Sequence, residues 1–335
     1  MNRLRMGRLS LVRLCRKLMP FCVVIASLVT QTHAQAIYPT NPVRLAVGFG
    51  AGTPPDIAAR VIAEKLSELW SVPVIVENVI GASGNVASER VARARPDGHY
   101  LLLAANSSIA INPSLFPTMP IDPVKDLVPI TIVYTYPNIL IVNKEVGVES
   151  VQQLVRLARS KPGQLSYGSA GVGTTMHLAG EMLKSLAAID IEHVPYRGGA
   201  NLFADLLTAR IHFSFAPTTS ALEQVRFGAV GVLAVTSSKR FSLLPHLPTM
   251  KEAGFPEFDM NVWWGLLAPA ATSAQVITKL HRDVTKVLSS PDVQSRFAAL
   301  GIEPVGNTPE EMSAIIKAEV PKWAKVLKDA KVATK

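Results

Sequence analysis

Two glycine-rich segments hold the residue types in this sequence that are best suited to binding an anion. The first, Phe49–Asp56, and the second, Tyr167–His177, begin about 120 positions apart, and each lies between a strand-like apolar run and an amphipathic helical pattern. Glycine lets the backbone approach a bound group closely, and the first turn of a helix offers unpaired N–H groups and a partial positive charge. The two segments therefore predict a small carboxylated or phosphorylated molecule held from both sides.

The first segment lacks two of the donors that such a site would use. Pro54 and Pro55 have no N–H to offer an anion. The same stretch suits a helix start, with Thr53 at the N-cap, Pro54 at the first helical position and Asp56 at the third, in a variant of the capping box. This favours a structural role for Asp56, because a carboxylate would repel a bound anion. The alternative is that Asp56 accepts a hydrogen bond from a ligand amine, a hydroxyl or water.

The second segment keeps its donors. Its candidate ligand-binding residues are Ser169, Gly171, Gly173 and Thr174, whose backbone N–H groups and hydroxyls suit a carboxylate. His177 lies within the first helical turn, where it either caps the helix, lines the site or packs in the core.

Further candidates lie outside these segments. Ser107 and Ser108 follow a strand-like run that ends at Ala104, so they are expected at a third loop beside the same cleft. The remaining candidates are Tyr196, Arg197, Trp263 and Trp264. The two tryptophans belong either to the wall of the cleft or to the core.

The known signatures of catalysis are incomplete in this chain. A nucleophile elbow around Ser169 requires glycine at position 167, which is Tyr167. The dinucleotide fingerprint fails at Thr53, and no Walker lysine follows either glycine segment. His177 and Glu181 share a helix face, but two ligands do not make a metal site. The sequence therefore predicts no enzyme activity, no metal and no cofactor.

The N-terminal segment accounts for most of the basic charge. Six Lys and Arg residues between Arg3 and Lys17, an apolar stretch from Pro20 to Thr30 and the small residues Ala34 and Ala36 predict a signal peptide over residues 1–36. The chain has 34 basic and 25 acidic residues; without the leader the balance is 28 against 25, or +3. Neither a basic run nor a recognition motif supports nucleic-acid binding. We expect an exported, periplasmic protein.

The pattern of the mature chain predicts an α/β protein with two lobes. Seven apolar, strand-like runs alternate with amphipathic helical patterns, which favours largely parallel sheets with ligands at the carboxyl ends of their strands. The strand-like runs cover residues 43–47, 74–76, 100–104, 130–134, 139–142, 211–215 and 230–235. Crossovers at Tyr136–Asn138 and Gly254–Asn261 would divide the chain into lobe 1, residues 37–137 plus 261–335, and lobe 2, residues 138–260. Residues 291–335 are expected to form two helices with Trp323 buried.

The order of motifs resembles the tripartite tricarboxylate transporter solute-binding family, also called the Bug family of bacterial periplasmic receptors. The resemblance spans nearly the whole mature chain. The motifs that carry it include Pro42-Val43-Arg44-Leu45, Asp56-Ile57-Ala58-Ala59-Arg60, Pro96-Asp97-Gly98-His99-Tyr100, His193-Val194-Pro195-Tyr196-Arg197 and Trp263-Trp264-Gly265-Leu266-Leu267.

The resemblance implies a two-lobed, type II periplasmic-binding-protein fold with a hinge and a central ligand cleft. It places Phe49, Gly50, Ala51 and Gly52 against a carboxylate ligand that is held partly through water. It also implies a monomeric receptor that hands its ligand to the membrane permease of a tripartite tricarboxylate-type transporter. Two alternatives stay open: a receptor that signals to a sensor kinase and, ranked third, a secreted enzyme. The ligand is an aliphatic di- or tricarboxylate, an aromatic acid or an amino acid.

Overall fold

The computed structural model describes residues 38–116, 118–196, 199–329 and 332, and the residues from Asn41 onward form one compact unit. The predicted signal peptide, residues 1–36, and the candidate Arg197 lie outside the described residues. Within those ranges, no helix is both long and apolar enough to cross a membrane.

Strands and helices alternate along most of the chain. The strands are β1 (Val43–Val47), β2 (Val74–Asn78), β3 (Tyr100–Ala105), β4 (Leu127–Val142), β5 (Ser166–Ser169), β6 (Glu192–Pro195), β7 (Phe213–Pro217), β8 (Gly231–Val235), β9 (Asn261–Pro269) and β10 (Glu303–Pro304). The helices are α1 (Pro54–Trp70), α2 (Asn85–Ala92), α3 (Asn112–Leu115), α4 (Pro123–Asp126), α5 (Val151–Ser160), α6 (Thr175–Ala187), α7 (Gly199–Leu207), α8 (Thr218–Arg226), α9 (Ala274–Leu288), α10 (Pro291–Ala299) and α11 (Pro309–Asp329). A π-helical turn, Ser107–Ile111, joins β3 to α3.

The strands pair in the order β2-β1-β3-β9-β4-β7-β5-β6, with β8 and β10 also on β4. Pairs β1/β2, β1/β3, β5/β6 and β5/β7 are parallel, whereas β9, β7, β8 and β10 all run antiparallel to β4. The predicted largely parallel sheet is therefore correct at the two ends and wrong in the centre. We call β1, β2, β3 and β9 the β1 half, and β5, β6, β7 and β8 the β5 half.

Strand β4 joins the two halves. Its first part, Leu127–Pro137, pairs with β9, and Asn138–Val142 pairs with β7 and β8. The sequence pattern had split this strand into two runs at Tyr136–Asn138. The split is wrong because Tyr136 lies opposite Val262 and Pro137 lies opposite Asn261, so the ladder continues through the proline.

The amphipathic helices α1 and α6 bury the apolar faces that the sequence predicts, except in their last turns. In α1, Ala58, Val61, Ile62 and Leu66 are buried, but Leu69 is 38% exposed. In α6, Leu178 and Leu183 are buried, whereas Leu186 is exposed. The last residue of each pattern lies in the last turn, where the helix leaves the sheet. The faces were predicted correctly and their lengths were overestimated.

The C-terminal helix α11 contributes to two core clusters. Met312 and Ile316 pack with Leu102 and Leu267 of the β1 half, while Trp323 and Leu327 pack with a cluster that contains β5 and β7 residues. Trp323 is fully buried and α10 and α11 form two helices, so both sequence predictions are confirmed. One helix thus supports both halves of the sheet.

Candidate functional site

A cavity of about 390 Å³ lies where the carboxyl ends of β1, β3, β5 and β7 meet. Parallel strands that end together leave their following loops on one side of the sheet, which is where α/β proteins bind ligands. The lining residues are Phe49, Ser83, Ala105, Asn106, Ser107, Asn112, Leu115, Phe116, Tyr136, Ala170, Val172, Gly173, Thr174, Thr175, Met176, Pro217, Val262 and Trp264. Among these described residues none carries a formal charge.

The carboxylate of Asp56 is held within the protein. It accepts hydrogen bonds from the N–H of Gly52 at 2.9 Å, from Asn78 Nδ2 at 2.8 Å and from Arg60 Nε at 2.9 Å. Burial raises the pKa of Asp56, but these bonds outweigh burial and hold the pKa below its usual range. Asp56 therefore stays ionised, and the N–H of Gly52 is already hydrogen-bonded to it. Neither residue lines the cavity.

The start of α1 differs from the predicted capping box. Thr53 is the N-cap residue, but its hydroxyl makes no cap hydrogen bond and instead donates to the Gly50 carbonyl at 2.6 Å. The cap side chain normally accepts from the second or third helical N–H, and Pro55 at the second position has none. Asp56 consequently reaches back to Gly52, one residue before the N-cap. Of the first segment, Phe49 lines the cavity; Gly50 and Ala51 do not.

The second segment forms a turn in which most hydrogen-bond donors already have an acceptor within the protein. Thr174 Oγ1 donates to the Gly171 carbonyl at 2.7 Å and, as the N-cap of α6, accepts the N–H of His177 at 3.3 Å. The N–H of Gly171 donates to Ser169 Oγ at 3.1 Å, and that of Gly173 donates to His177 Nδ1 at 3.1 Å. Gly173 and Thr174 line the cavity, whereas the buried Ser169 and His177 and the half-buried Gly171 do not.

The free donors at this end belong to the first turn of α6. Thr175 and Met176 line the cavity, and their N–H groups have no hydrogen-bond acceptor among the described residues. Both lie at the N-terminus of a helix of 13 residues. The helix dipole and these two N–H groups favour a negative charge at this point of the cavity.

Gly173 allows a close contact between the turn before α6 and helix α3. Its φ is +83°, which glycine adopts without strain. A Cβ at this position would lie 2.4 Å from Leu115 Cδ1 of α3. Glycine is therefore required for both the turn and the packing of α3 against it.

Two stacked histidines support the turn from below. His193 Nε2 lies 2.7 Å from Ser169 Oγ, and the rings of His177 and His193 are 4.1 Å apart. Burial lowers the pKa of His193 to about 4, helped by the neighbouring His177. Burial also lowers the pKa of His177 against the opposing effect of Glu181. Both rings are therefore neutral near pH 7, as His177 must be to accept the N–H of Gly173.

Aromatic rings form one wall of the cavity. Trp264 makes an edge contact with Phe49, with ring centroids 5.3 Å apart, and stacks on Tyr134 at 6.0 Å. The indole N–H of Trp264 is buried and lies beside the Tyr136 hydroxyl. Burial raises the pKa of Tyr136 to about 12, so its hydroxyl is neutral. Phe116 and Tyr136 also line the cavity.

The two serines after β3 have different surroundings. Ser107 lines the cavity. Ser108 is 1% exposed, and its hydroxyl donates to the Ser83 carbonyl at 3.0 Å, which attaches the π-helical turn to the segment before α2. The position after the strand was predicted correctly, but the strand ends at Ala105 and a π-helical turn follows, so Ser107 and not Ser108 reaches the cavity surface.

Of the remaining candidates that the structure describes, Tyr196, Trp263 and Trp264, only Trp264 lines the cavity. Tyr196 donates to Asp205 Oδ2 at 2.8 Å. Trp263 is 3% exposed, and its indole N–H donates to Glu319 Oε1 at 3.0 Å, with Trp323 donating to Glu319 Oε2 at 3.2 Å. The adjacent tryptophans therefore divide between the core and the cavity wall, since successive residues of a strand face opposite sides.

Sequence reasoning missed several lining residues. Thr175 and Met176 follow the glycine segment directly, and their position at a helix start was a usable signal. The sequence pattern marks Tyr136 as a crossover residue and gives no sign that it lines the cavity. Asn106 and Phe116 come from the π-helical turn region, which has no recognisable sequence pattern.

The fold and the cavity define a class of protein. An uncharged cavity at the strand ends of an α/β sheet, lined by helix N–H donors and aromatic rings, is typical of a small-molecule binding site. The sequence profile described as "Tripartite tricarboxylate transporter family receptor" matches residues 58–332. The chain belongs to this family of solute-binding receptors.

Solved structures of related proteins have the same fold. A protein of R. palustris, solved with adipate, is 35% identical with a TM-score of 0.78; the match covers 88% of this chain and 99% of that one. The periplasmic binding protein BugD is 34% identical with a TM-score of 0.75, covering 89% and 100%. MatC from Rhodopseudomonas palustris, with bound malate, is 28% identical with a TM-score of 0.73, covering 87% and 100%. The predicted periplasmic-binding-protein fold and the Bug-family resemblance are confirmed.

Proposed function

We propose that this protein captures a small carboxylate in the cavity and delivers it to the membrane permease of a tripartite tricarboxylate-type transporter. The observation that carries the proposal is the pair of free N–H groups, Thr175 and Met176, at the N-terminus of α6 on the surface of an uncharged cavity. Charge-assisted bonds from such donors hold a carboxylate without a cationic side chain. The adipate and malate complexes of related proteins support this ligand class.

The proposed motion is closure of two lobes around the ligand. Lobe 1 comprises residues 37–137 plus 261–335, and lobe 2 comprises residues 138–260. In support, the partner of β4 changes from β9 to β7 and β8 between Pro137 and Asn138, and the chain returns to β9 at Asn261. In a hinge motion, a few residues between two packed units absorb the backbone rotation. A ligand that touches both lobes favours the closed state by its differential affinity.

The proposed location is the periplasm, reached through the leader at residues 1–36. The basic and apolar segments of that leader and the periplasmic relative BugD support it. We further propose that the protein acts as a monomeric receptor without catalysis. The Ser169–His193 pair, the nearest approach to a catalytic arrangement, lies beneath the turn, and Ser169 is fully buried.

The test is a thermal-shift and calorimetric screen of residues 37–335 against carboxylates, sugars, amines and phosphate esters. A ligand that binds the native state at 100 times its dissociation constant adds about 2.7 kcal/mol to the free energy of unfolding. We expect stabilisation by carboxylates. Stabilisation by sugars or amines alone would contradict the proposal. Carboxylate binding without uptake by cells that carry the permease would favour a signalling role.

A further inference from the structure

The polar side chains on the lobe 1 side of the cavity differ in what they can offer a ligand. Asn106 and Asn112 are buried, and their amide N–H groups donate within the protein, at 3.2 Å and 2.6 Å. Ser83 is exposed and Ser107 is half-buried, and both line the cavity. Neither hydroxyl is hydrogen-bonded within the described part of the chain. The two serines therefore present hydroxyl donors that are free to bind a ligand.

Ser83 has a backbone conformation that is unfavourable for serine. It lies in the loop between β2 and α2, and its φ and ψ of +56° and 34° fall in the left-handed region. Gly81 and Gly84 in the same loop also have positive φ values, which glycine adopts without strain. A serine at position 83 lowers stability, and its hydroxyl forms no bond within the described chain that would offset this. Strain of this kind is concentrated at functional sites.

The neighbouring elements hold the strained loop through its backbone. The Ser83 carbonyl accepts hydrogen bonds from Ser108 Oγ at 3.0 Å and from Asn112 Nδ2 at 3.4 Å. The next residue packs against the end of β1, where a Cβ on Gly48 would lie 2.6 Å from Gly84 Cα. These contacts do not involve the Ser83 side chain, so they would remain if that side chain were removed. Ser108 is thus a positioning residue, which acts on the cavity through Ser83.

We propose that Ser83 is a ligand-binding residue whose hydroxyl donates to a ligand oxygen remote from the carboxylate held by α6. The inference rests on the proposed carboxylate-receptor function and adds a second contact to it. In the first glycine segment the N–H of Gly52 is already bound to Asp56, and the two prolines have no N–H. Ser83 supplies a donor from the neighbouring loop instead. A ligand bound by α6 in lobe 2 and by Ser83 in lobe 1 contacts both lobes, as closure requires.

The first experiment compares matched ligand pairs by calorimetry on ligand-stripped protein. The pairs are adipate with hexanoate, succinate with butyrate, and terephthalate with 4-methylbenzoate; in each pair a methyl group replaces one carboxylate. We expect the wild type to bind one dicarboxylate about tenfold or more tightly than its monocarboxylate partner, because the hydrogen bond to the second charged group is then made. In Ser83→Gly this ratio should fall by about tenfold, while the affinity for the monocarboxylate stays the same.

The second measurement is the stability of the ligand-free variants. Because glycine relieves the strain at position 83, the Tm of Ser83→Gly should equal or exceed that of the wild type, by up to about 3 °C. Ser71→Gly is the matched control: Ser71 is also exposed, has φ 54° and ψ 29°, and does not line the cavity. It should shift the Tm similarly and leave the affinity ratio unchanged. Ser83→Ala removes the hydroxyl without relieving the strain, so it should lower the ratio as much as Ser83→Gly without raising the Tm.

Each outcome separates this inference from the proposed function. An unchanged ratio in Ser83→Gly, or a ratio that falls in Ser83→Gly but not in Ser83→Ala, would refute the contact with the Ser83 hydroxyl. The same holds if the wild type binds every monocarboxylate as tightly as its partner, and in these cases the protein is still a carboxylate receptor. A Tm of Ser83→Gly below that of the wild type would mean that the side chain stabilises the fold, against the inference. If no carboxylate binds, both proposals fail.

Discussion

At the scale of single residues, the glycine segments contribute less to the cavity surface than their sequence suggests. Gly171 and Gly173 use their N–H groups on Ser169 and His177, and Gly52 uses its N–H on Asp56. The glycines shape the turns, whereas the free donors are the backbone N–H groups of Thr175 and Met176. A cavity with such backbone donors can bind an anion even though its lining side chains are uncharged.

Replacing Thr175 with proline tests the helix donors directly. Proline suits the first helical position, and the extended conformation of Thr174 (φ −71°, ψ 157°) is compatible with a following proline. Thr175→Pro removes one N–H and one hydroxyl, so we expect carboxylate affinity to fall by about 10- to 100-fold. Calorimetry measures the loss, and circular dichroism should show an unchanged fold.

Ala274→Pro is the matched control for this change. Ala274 is the first residue of α9, after the extended N-cap Ser273, and does not line the cavity. Its affinity should equal that of the wild type. Unchanged affinity in Thr175→Pro would show that the N-terminus of α6 does not hold the ligand.

The histidine pair makes stability depend on pH. The pKa of His193 in the folded state is about 4, below the unfolded value of about 6.5. Between these values the unfolded chain binds a proton that the native state does not, so stability falls as the pH drops from about 6.5 towards 4. After allowance for the half-exposed ring, we expect a loss of about 1–2 kcal/mol, seen as a falling Tm.

His193→Gln keeps a polar group beside Ser169 and removes the titration. It should flatten the Tm curve in this pH window. His246→Gln, at an exposed position, should leave the slope unchanged. A wild-type Tm that is constant from pH 6.5 to 4.5, or a slope that His193→Gln retains, would refute this role of the histidines.

At the scale of elements, helix α11 connects the core to the cavity wall. Glu319 on this helix accepts hydrogen bonds from the indoles of Trp263 and Trp323. Trp263 precedes the cavity residue Trp264, and Asn106, which lines the cavity, lies beside Glu319. Burial raises the pKa of Glu319 in spite of these donors. A half-buried acid in the C-terminal helix therefore fixes β9 at the level of the aromatic wall.

Substitutions at Glu319 should separate hydrogen bonding from charge. Glu319→Ala leaves two buried indole donors without an acceptor, so we expect a loss of about 2–4 kcal/mol in the free energy of unfolding. Glu319→Gln keeps an acceptor and removes the buried charge, so it should cost less than half as much. Chemical denaturation measures both.

Glu310→Ala serves as the control within the same helix. Glu310 is exposed, and its substitution should change stability by no more than about 0.5 kcal/mol. If Glu319→Ala and Glu310→Ala have equal effects, Glu319 does not anchor α11.

At the scale of the whole molecule, the sequence predicted the architecture better than the contacts. Periodicity located most of the strands and both C-terminal helices, because those patterns reflect burial on one face of the sheet or helix. It divided β4 in two, since proline normally interrupts a ladder, and it could not foresee that Pro137 would lie opposite Asn261 in a continuous pairing.

The site, like the fold, could be predicted only in part from the sequence. Because both glycine segments and the Ser107 region follow strands, the sequence placed them correctly on one side of the sheet. It did not reveal which donors were already used, because the pairings of Asp56 with Asn78 and of Ser169 with His193 join residues from different secondary-structure elements. Long-range side-chain partners have no local sequence signal, so the free donors became visible only in the folded chain.

The proposed hinge predicts a ligand-dependent change in distance between the lobes. Residues 37–335 contain no cysteine, so two spin labels can be attached through introduced cysteines alone. Ile80 in lobe 1 is 68% exposed and Phe227 in lobe 2 is 77% exposed, which makes Ile80→Cys with Phe227→Cys a suitable pair. If the lobes rotate about Pro137–Asn138 and Asn261, a bound carboxylate should change this distance by more than about 2 Å and narrow its distribution. Ile80→Cys with Val305→Cys reports within lobe 1 and should not change. Equal shifts in both pairs, or none in the first while calorimetry shows binding, would mean that the ligand is held by a preformed cavity without closure of the lobes.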